Sequence, residues 1–123
     1  MTDERRSLGK RGEELALSYL KKNGYKIIEQ NYRSKLGEID IIAWENGAFT
    51  FVEVKTRYTN RFGGPKGAIT EKKKRKLSMV ALEYLKKTKQ MGHKARFDVV
   101  AVHLGPDSPI IELVKNAFNL AYE

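Results

Sequence analysis

Two acidic side chains near the middle of the chain are spaced as ligands of one metal ion would be. Asp40 and Glu53 lie in two apolar runs that flank Asn46-Gly47, within residues 37–57. Asn-Gly between two such runs is a strong signal for a β-hairpin, because both residues tolerate the positive φ angles of a type I′ turn. A two-residue turn sets Asp40 directly opposite Glu53. The sequence therefore predicts two carboxylates held face to face.

Facing carboxylates repel each other, and one of them is pushed toward protonation unless a cation compensates the charge. Carboxylate oxygens are hard ligands that suit Mg²⁺ or Mn²⁺. Lys55 follows Glu53 by two residues and therefore projects from the same face of the strand. Its ammonium group could orient a water molecule or neutralise charge on a phosphate. Asp40 followed by Glu53-x-Lys55 on the next strand is suited to phosphodiester hydrolysis.

A structural role for the same charges is the alternative. Charged residues at the ends of short strands are often solvated, and Glu38 opposite Lys55 could form an ordinary cross-strand pair of under ~1 kcal/mol. Asp40 and Glu53, however, lie inside apolar runs rather than at their edges. This position favours the functional interpretation.

A helix predicted over residues 7–23 carries a third candidate acid. Apolar or small residues recur in it at helical spacing, and Gly24 provides a stop at its C-terminus. Glu13 lies on the flank of the apolar stripe, near the boundary between core and solvent, whereas Glu14 points away. Glu13 can therefore reach the edge of a cleft, although a surface glutamate on a helix needs no function.

The net charge of +9 is concentrated in one segment. From Lys55 to Lys76 the chain carries nine lysine or arginine residues and one acid, Glu71. A basic patch of this kind indicates a face that binds a polyanion, with nucleic acid, and DNA first, as the expected partner. A solvated face is the alternative. The candidate contacts are Arg57, Lys66, Lys72, Lys73 and Lys76.

A second helix is predicted from an N-cap at Thr70 to about Lys89. Its first turns carry five consecutive cations, residues 72–76, which have the wrong sign for the positive end of a helix dipole. Departures from local rules of this kind often mark functional positions. Lys73 falls within the angle of the apolar stripe and should lean toward the sheet. It would contact a substrate phosphate or the catalytic face, or else snorkel at the core margin.

The remaining pattern completes one domain of 123 residues, over the whole range 1–123. Further strands are predicted over residues 25–32 and 95–104, followed by a short edge strand over 110–114. A helix is predicted over 115–122, and its apolar face could pack on the body or supply the interface of a homodimer.

Two features leave alternatives open. Residues 56–68 are typical of a loop, in which Tyr58 or Phe62 could stack on bases or pin the loop to the body. Asp98 lies within a predicted strand and could be a further metal ligand, but a pairing with Arg96 or a lysine is favoured.

Composition argues against several other classes of protein. Zero cysteines remove disulfides and thiolate metal sites, and two histidines leave little material for a zinc site or a Ser-His-Asp triad. No apolar run approaches the ~20 residues of a membrane helix, and the first residues lack the apolar stretch of a secretory signal. We therefore expect a cytoplasmic protein without a membrane partner.

Together the motifs resemble those of a nuclease superfamily. The order α-β-β-β-α-β, with Asp40 on the second strand and Glu53-x-Lys55 on the third, is similar to the core of PD-(D/E)-x-K nucleases, the restriction-endonuclease-like fold. More closely, the sequence resembles the YraN family of small bacterial proteins, which are regarded as relatives of archaeal Holliday-junction resolvases. The matching segments are Gly9-x-x-Gly12-Glu13, Gly24-Tyr25, Asn31-Tyr32-Arg33, Gly37-Glu38-Ile39-Asp40, the run from Phe51 to Arg57, Phe62-Gly63, Lys73, and the run from Arg96 to Val100.

This resemblance implies an α/β restriction-endonuclease-like fold, with a central mixed sheet flanked by helices. It implies Asp40 and Glu53 as metal ligands, Glu13 as a glutamate that the first helix adds to the metal site, and Lys55 as the catalytic lysine. Ile39 stands where the motif has its proline. The implied activity is Mg²⁺- or Mn²⁺-dependent endonucleolytic hydrolysis of DNA, including branched, Holliday-junction-like DNA. The alternative is a non-catalytic nucleic-acid-binding module on a nuclease scaffold.

Overall fold

The computed structural model describes residues 3–58 and 69–118, with side chains from residue 7 onward. Within these ranges the elements follow one another as α1 (Asp3–Lys22), β1 (Lys26–Ser34), β2 (Gly37–Glu45), β3 (Ala48–Tyr58), α2 (Glu71–Lys87), β4 (Lys94–Leu104) and β5 (Ile110–Phe118). This order confirms the predicted α-β-β-β-α-β core with an extra C-terminal strand.

The described strands form a five-stranded mixed sheet in the order β1-β2-β3-β4-β5. Neighbouring strands are antiparallel except for β3 and β4, which run parallel. Parallel neighbours need a crossover connection, and α2 lies in the segment between them. The result is the predicted restriction-endonuclease-like architecture, a central mixed sheet flanked by helices.

The hairpin between β2 and β3 turns at Asn46 and Gly47, as predicted. Both residues have positive φ angles, of 50° and 76°, as a type I′ turn requires. Paired positions extend from the turn to Ile41 opposite Val52. The predicted register is confirmed over this stretch, and the ladder stops one residue short of the two acids.

Each face of the sheet has its own hydrophobic core. Ala16 and Leu20 of α1 pack with apolar residues of β2, β3 and β4 on one face. On the other face α2 packs against aliphatic and aromatic side chains of β1 to β5. Neither described helix is long and apolar enough to cross a membrane. The buried stripe predicted for α2 is confirmed in all of its members, Leu77, Val80, Ala81, Tyr84 and Leu85.

The start of α2 is fixed by the predicted cap at Thr70. Its Oγ1 accepts a hydrogen bond from the Lys73 N–H at 3.1 Å, which satisfies one of the free donors of the first turn. The helix ends at Lys87, two residues before the predicted end, and Thr88 caps it. The capped first turn determines where the Lys73 side chain leaves the helix.

The chain after residue 114 differs from the prediction. A helix is predicted over residues 115–122, but β5 continues as a strand to Phe118, and residues 119–122 lie outside the described ranges. The Phe118 ring is buried and stacks on Phe97 at a centroid distance of 4.5 Å. This contact with β4 holds the segment in the sheet, because tertiary packing overrides a weak local preference for helix.

Other boundaries differ by a few residues. α1 begins at Asp3 rather than Ser7, and β1 includes residues 33–34, which are predicted as part of a connection. Residues 56–58 belong to β3 instead of a loop. The rest of the predicted loop, with Phe62 and Lys66, lies outside the described residues.

Candidate metal and phosphate site

A cleft of about 540 Å³ lies between the first turns of α2, the start of β2 and the middle of β3. The sheet contributes acidic side chains to it and the helix contributes lysines, so opposite charges face each other across the cleft. Its lining residues are Gly37, Glu38, Asp40, Glu53, Val54, Thr70, Lys72, Lys73, Lys76, Leu77 and Val80.

Asp40 interrupts the ladder between β2 and β3. Its Oδ2 accepts a hydrogen bond from the Val54 N–H at 2.8 Å, so a side chain takes the place of a backbone acceptor. On the other side, Asn31 of β1 lies between residues paired with Ile39 and Ile41, and has a φ of 52°. Asparagine tolerates this left-handed conformation better than most residues. The two irregularities coincide where Asp40 enters the cleft.

The carboxyl group of Asp40 has a strongly perturbed pKa. Burial is the largest cause and raises the pKa to about 7. The charges of Glu53 and Glu13 and a hydrogen bond with the Glu53 carboxyl raise it too, while the bond from Val54 N–H acts in the opposite direction. The structure thus brings the two predicted acids together as neighbouring side chains, although they are not ladder partners.

Glu53 is held by a lysine of α2. The side chain of Glu53 is 10% exposed, and its Oε2 lies 2.6 Å from Lys73 Nζ. This hydrogen bond is the main reason why the pKa of Lys73 is raised. The expectation that Lys73 leans toward the sheet is confirmed, and its partner is one of the two predicted metal ligands.

Glu13 approaches the acids from α1 without lining the cleft. Burial raises the pKa of its carboxyl, and the charges of Glu38 and Glu53 raise it further. The approach depends on Gly12, where an added Cβ would lie 1.8 Å from Thr56 Oγ1. Because no side chain separates the helix from β3 at this point, Glu13 can come within electrostatic reach of β3.

The lysine predicted to be catalytic lies farther along β3. Lys55 is half-buried and pairs in register with Ala101 of β4, and it is not one of the residues that line the cleft. The expected partner Glu38 pairs with Arg33 of β1 instead, with Arg33 Nε and Glu38 Oε2 3.4 Å apart. The assignment of Lys55 as the catalytic lysine stays a prediction.

The basic segment of α2 divides into two groups. Lys72, Lys73 and Lys76 line the cleft, whereas Lys74 turns away and forms an ion pair with Glu71 at 3.1 Å. Arg57 is exposed near the end of β3. Three of the four lysines predicted to bind nucleic acid are therefore gathered at one cleft, while the fourth, Lys66, lies outside the described residues.

The donor chemistry of Asp40 and Glu53 fits a hard divalent cation. Both offer carboxylate oxygens, and burial together with the nearby charge of Glu53 raises the pKa of Asp40, so that a cation beside the two acids would favour their charged forms. In proteins Mg²⁺ is commonly held by one or two carboxylates together with waters and substrate phosphates. Among the described residues, no three histidine, aspartate or glutamate side chains form a group that could hold a metal ion.

A second charged cluster, the Arg96 network, lies on the α1 face and consists of Tyr25, Glu45, Arg96, Asp98 and Lys115. Arg96 Nε donates to Asp98 Oδ1 at 3.0 Å, its terminal nitrogen contacts Glu45, and the Tyr25 hydroxyl donates to Asp98 Oδ2 at 2.6 Å. Lys115 Nζ lies 3.3 Å from Glu45 Oε2. The favoured pairing of Asp98 with Arg96 is thus confirmed.

Sequence reasoning did not assign Tyr25, Glu45 or Lys115 to this network. Each looks like an ordinary strand or edge residue, because their sequence separations of 51 or more from their partners leave no local pattern. The one available signal was Asp98 in an apolar strand two residues after Arg96.

The fold and the cleft define a class: a small mixed α/β protein of restriction-endonuclease-like architecture, with paired acids facing lysines at one end of the sheet. Within this class the chain belongs to the Uncharacterised protein family UPF0102, whose family model matches residues 12–102. This membership confirms the resemblance to YraN-like proteins.

Relatives cover nearly the whole chain. A UPF0102 protein of Desulfosudis oleivorans is 49% identical over 119 residues, which is 97% of this chain and 95% of the relative. UPF0102 proteins of Syntrophus aciditrophicus, 48% identical over 93% of this chain and 90% of the relative, and of Geobacter metallireducens, 45% identical over 99% and 100%, are similar. These names state a family and no activity, so the function must be argued from the site.

Proposed function

We propose that this protein is a divalent-cation-dependent endonuclease that hydrolyses phosphodiester bonds of DNA in the cytoplasm, with branched, Holliday-junction-like DNA as the substrate. One observation carries the proposal: Asp40 and Glu53 lie together in a cleft whose opposite wall carries Lys72, Lys73 and Lys76. Paired acids suit a metal ion, and lysines suit the phosphates of a DNA backbone.

Each group has a defined task in this proposal. Asp40 and Glu53 hold the cation, and Glu13 adds negative charge from α1. A bound Mg²⁺ or Mn²⁺ would supply water activation and charge stabilisation. Lys72 and Lys76 bind backbone phosphates, and Arg57 extends the basic surface. Lys55 is assigned to neutralising charge at the scissile phosphate, which requires its ammonium group to reach the end of the cleft.

The test is metal-dependent cleavage of a four-way DNA junction and of plasmid by the wild-type chain and by Asp40→Asn. We expect the substitution to lower the rate by about 10³-fold, because one of two protein ligands of the cation loses its charge. Cleavage that persists in Asp40→Asn, or that does not depend on Mg²⁺ or Mn²⁺, would contradict the proposal.

Two matched pairs of variants test the remaining assignments. Glu13→Gln should slow cleavage more than Glu14→Gln, since Glu13 lies within reach of the acids and Glu14 is exposed on the same helix. Lys72→Ala should weaken DNA binding more than Arg75→Ala, because only the former residue lines the cleft. Equal effects of the two glutamate variants would show that Glu13 does not act at the site, and equal effects of the two basic variants would show the same for Lys72.

A second candidate function is a nucleic-acid-binding module that does not cut. The observation that favours it is that both acids already have protein partners, Val54 N–H for Asp40 and Lys73 Nζ for Glu53. Both candidates bind DNA with a steep dependence on salt. Only the nuclease binds Mn²⁺ in a manner that Asp40→Asn abolishes.

The homodimer expected from the sequence belongs to the same proposal, because a two-fold symmetric junction suits a two-fold symmetric enzyme. Sedimentation equilibrium at increasing concentration measures the mass directly. A monomeric mass throughout the range would contradict the dimer and leave the cleavage proposal unchanged.

A further inference from the structure

Lys73 occupies an unusual position for a residue expected to bind DNA. Its ammonium group lies 2.6 Å from Glu53 Oε2, and Glu53 is one of the two residues proposed to hold the cation. A carboxylate oxygen bonded to an ammonium at this distance has less capacity to bind a metal ion. The same lysine also faces the cleft in which a DNA phosphate would lie.

The two ends of this ion pair differ in their freedom to move. Glu53 is almost fully buried on β3, whereas the side chain of Lys73 is half exposed. The Lys73 backbone is anchored by its hydrogen bond to Thr70 Oγ1 at 3.1 Å. A rearrangement therefore falls on the four side-chain torsions of the lysine, which lines the cleft together with Lys72.

Lys73 brings one positive charge to a group of several acids. Glu53, Asp40 and Glu38 lie within electrostatic reach of its ammonium group, and Glu13 lies within reach of Glu53 and Asp40. A divalent ion in the same place would bring one more positive charge. Lys73 is therefore a weaker partner for these acids than the cation would be.

A DNA backbone changes the balance for the lysine. A phosphate in the cleft presents a second anion to Lys73, together with Lys72 and Lys76 on the same wall. Transfer of the ammonium group from Glu53 to phosphate keeps the lysine paired and leaves the carboxylate free. A cation that then binds Glu53 replaces the lost ammonium group, so that neither Lys73 nor the nearly buried carboxylate is left unpaired when both ligands are bound.

We propose that Lys73 is an exchangeable counter-ion, which pairs with Glu53 when the cleft holds no polyanion and moves to a backbone phosphate when DNA binds, so that DNA and the divalent cation bind cooperatively. This inference rests on the proposed function and specifies how the same site is regulated. The free energy of coupling is reciprocal: DNA strengthens cation binding by the same factor by which the cation strengthens DNA binding.

The experiment measures both sides of this coupling at constant ionic strength and about pH 8. Free Mn²⁺ is followed by electron paramagnetic resonance as it is titrated into the wild-type chain, Lys73→Met and Lys72→Met. The affinity for a fluorescent four-way junction is measured by anisotropy with and without Mn²⁺, and a gel checks that the junction remains intact. Lys72→Met is the matched control, because Lys72 lines the same cleft without an ion pair to Glu53.

For the wild type we expect Mn²⁺ to strengthen junction binding by at least about fivefold. Lys73→Met should bind Mn²⁺ without DNA several-fold more tightly than the wild type, and its coupling factor should fall toward one. Lys72→Met should bind the junction more weakly and keep the wild-type coupling factor. Lys73→Arg, which retains the positive charge, should also keep the coupling.

Two results would overturn the inference, and they are distinguishable. If Lys73→Met binds Mn²⁺ no more tightly than the wild type and keeps its coupling, Lys73 is a fixed structural partner, and the metal-dependent function stands. If neither the wild type nor the folded variants bind Mn²⁺, the metal site and the counter-ion fail together. A thermal melt of each variant, compared with Lys73→Arg, confirms that the chains are folded.

Discussion

The two charged clusters of this protein lie on opposite faces of the sheet and differ in how their charges are paired. In the Arg96 network, two acids meet two bases and a tyrosine hydroxyl, and Asp98 also accepts a hydrogen bond from the Asn116 N–H at 2.9 Å. In the cleft, Glu53 is paired with Lys73, whereas Asp40 accepts a hydrogen bond from the Val54 N–H and lies beside a second acid. Both acids of the first cluster are bonded to a base, whereas Asp40 has no bonded base among the described residues.

The pKa values show the same difference. In the network, the hydrogen bond from Arg96 is the main cause that lowers the pKa of Glu45. Burial acts to lower the pKa of Arg96, but the hydrogen bonds to Asp98 and Glu45 outweigh burial and raise this pKa. In the cleft, burial and a neighbouring acid raise the pKa of Asp40 to about 7. A balanced cluster stabilises the fold, whereas an unbalanced one is a candidate for binding a ligand.

The largest effect on stability is expected in the Arg96 network, where both acids are bonded to a base. Asp98→Ala should lower the free energy of unfolding by about 3 kcal/mol, because it leaves Arg96 charged and mostly buried without its main partner. Urea denaturation at neutral pH measures the change. Asp107→Ala, at an exposed turn, is the control and should change stability by less than about 0.5 kcal/mol. A loss below 1 kcal/mol for Asp98→Ala would mean that the network is not structural.

A smaller effect is expected where α1 meets β3 beside the cleft. Gly12→Ala should destabilise the fold by about 2 kcal/mol, since the new Cβ would overlap Thr56 Oγ1 at 1.8 Å. Helix propensity alone predicts the opposite sign, a gain of about 1 kcal/mol. Gly9→Ala is the matched control, because a Cβ there meets nothing within 4 Å. Equal results for the two variants would show that α1 is not held close to β3.

Much of the fold could be predicted because its signals are local. The Asn46-Gly47 turn, the Thr70 cap and the apolar stripe of α2 each depend on a few neighbouring residues. The segment from Lys115 to Phe118 could not be predicted, because its strand conformation depends on pairing with β4 and on the ring of Phe97. Helical periodicity in four residues is too weak to outweigh such packing.

The candidate site could likewise be predicted only where its signals are local. The hairpin register brought Asp40 and Glu53 together in the prediction, and the helical angle of Lys73 pointed it toward the sheet. Neither signal contained the Val54 N–H that ends the ladder at Asp40, or the ion pair that joins Lys73 to Glu53. Both contacts depend on how separate elements pack, which residue spacing does not encode.

A neutral substitution of an acid in the cleft should stabilise the fold, whereas a neutral substitution in the Arg96 network should destabilise it. Asp40→Asn should raise the free energy of unfolding by about 1 kcal/mol at about pH 8, since it removes a buried charge beside Glu53 and keeps an acceptor for Val54 N–H. Thermal and urea denaturation measure the gain. Asp40→Ala should not share it, because the Val54 donor loses its partner. Destabilisation by Asp40→Asn would mean that the cleft acids are balanced like those of the network.

The smallest expected effect concerns Glu45 and depends on pH. Its pKa in the folded chain lies below the ordinary value of 4.5, so the folded state binds a proton less readily than the unfolded state. The stabilisation is therefore complete above that value and is lost as the pH falls through the folded pKa. Glu45→Gln should cost about 0.5 kcal/mol at neutral pH, and the cost should shrink as the solution is acidified.

Urea denaturation from neutral pH down to about pH 3 tests this dependence, with Glu29→Gln, an exposed residue of β1, as the control. A cost that stays constant with pH would mean that Glu45 contributes through shape and hydrogen bonding rather than through its charge. In that case the contrast between the two clusters would rest on burial alone. A cost that vanishes in acid would instead show that the two clusters differ in how their charges are paired. Incomplete pairing is the property that leaves the cleft acids available to a cation.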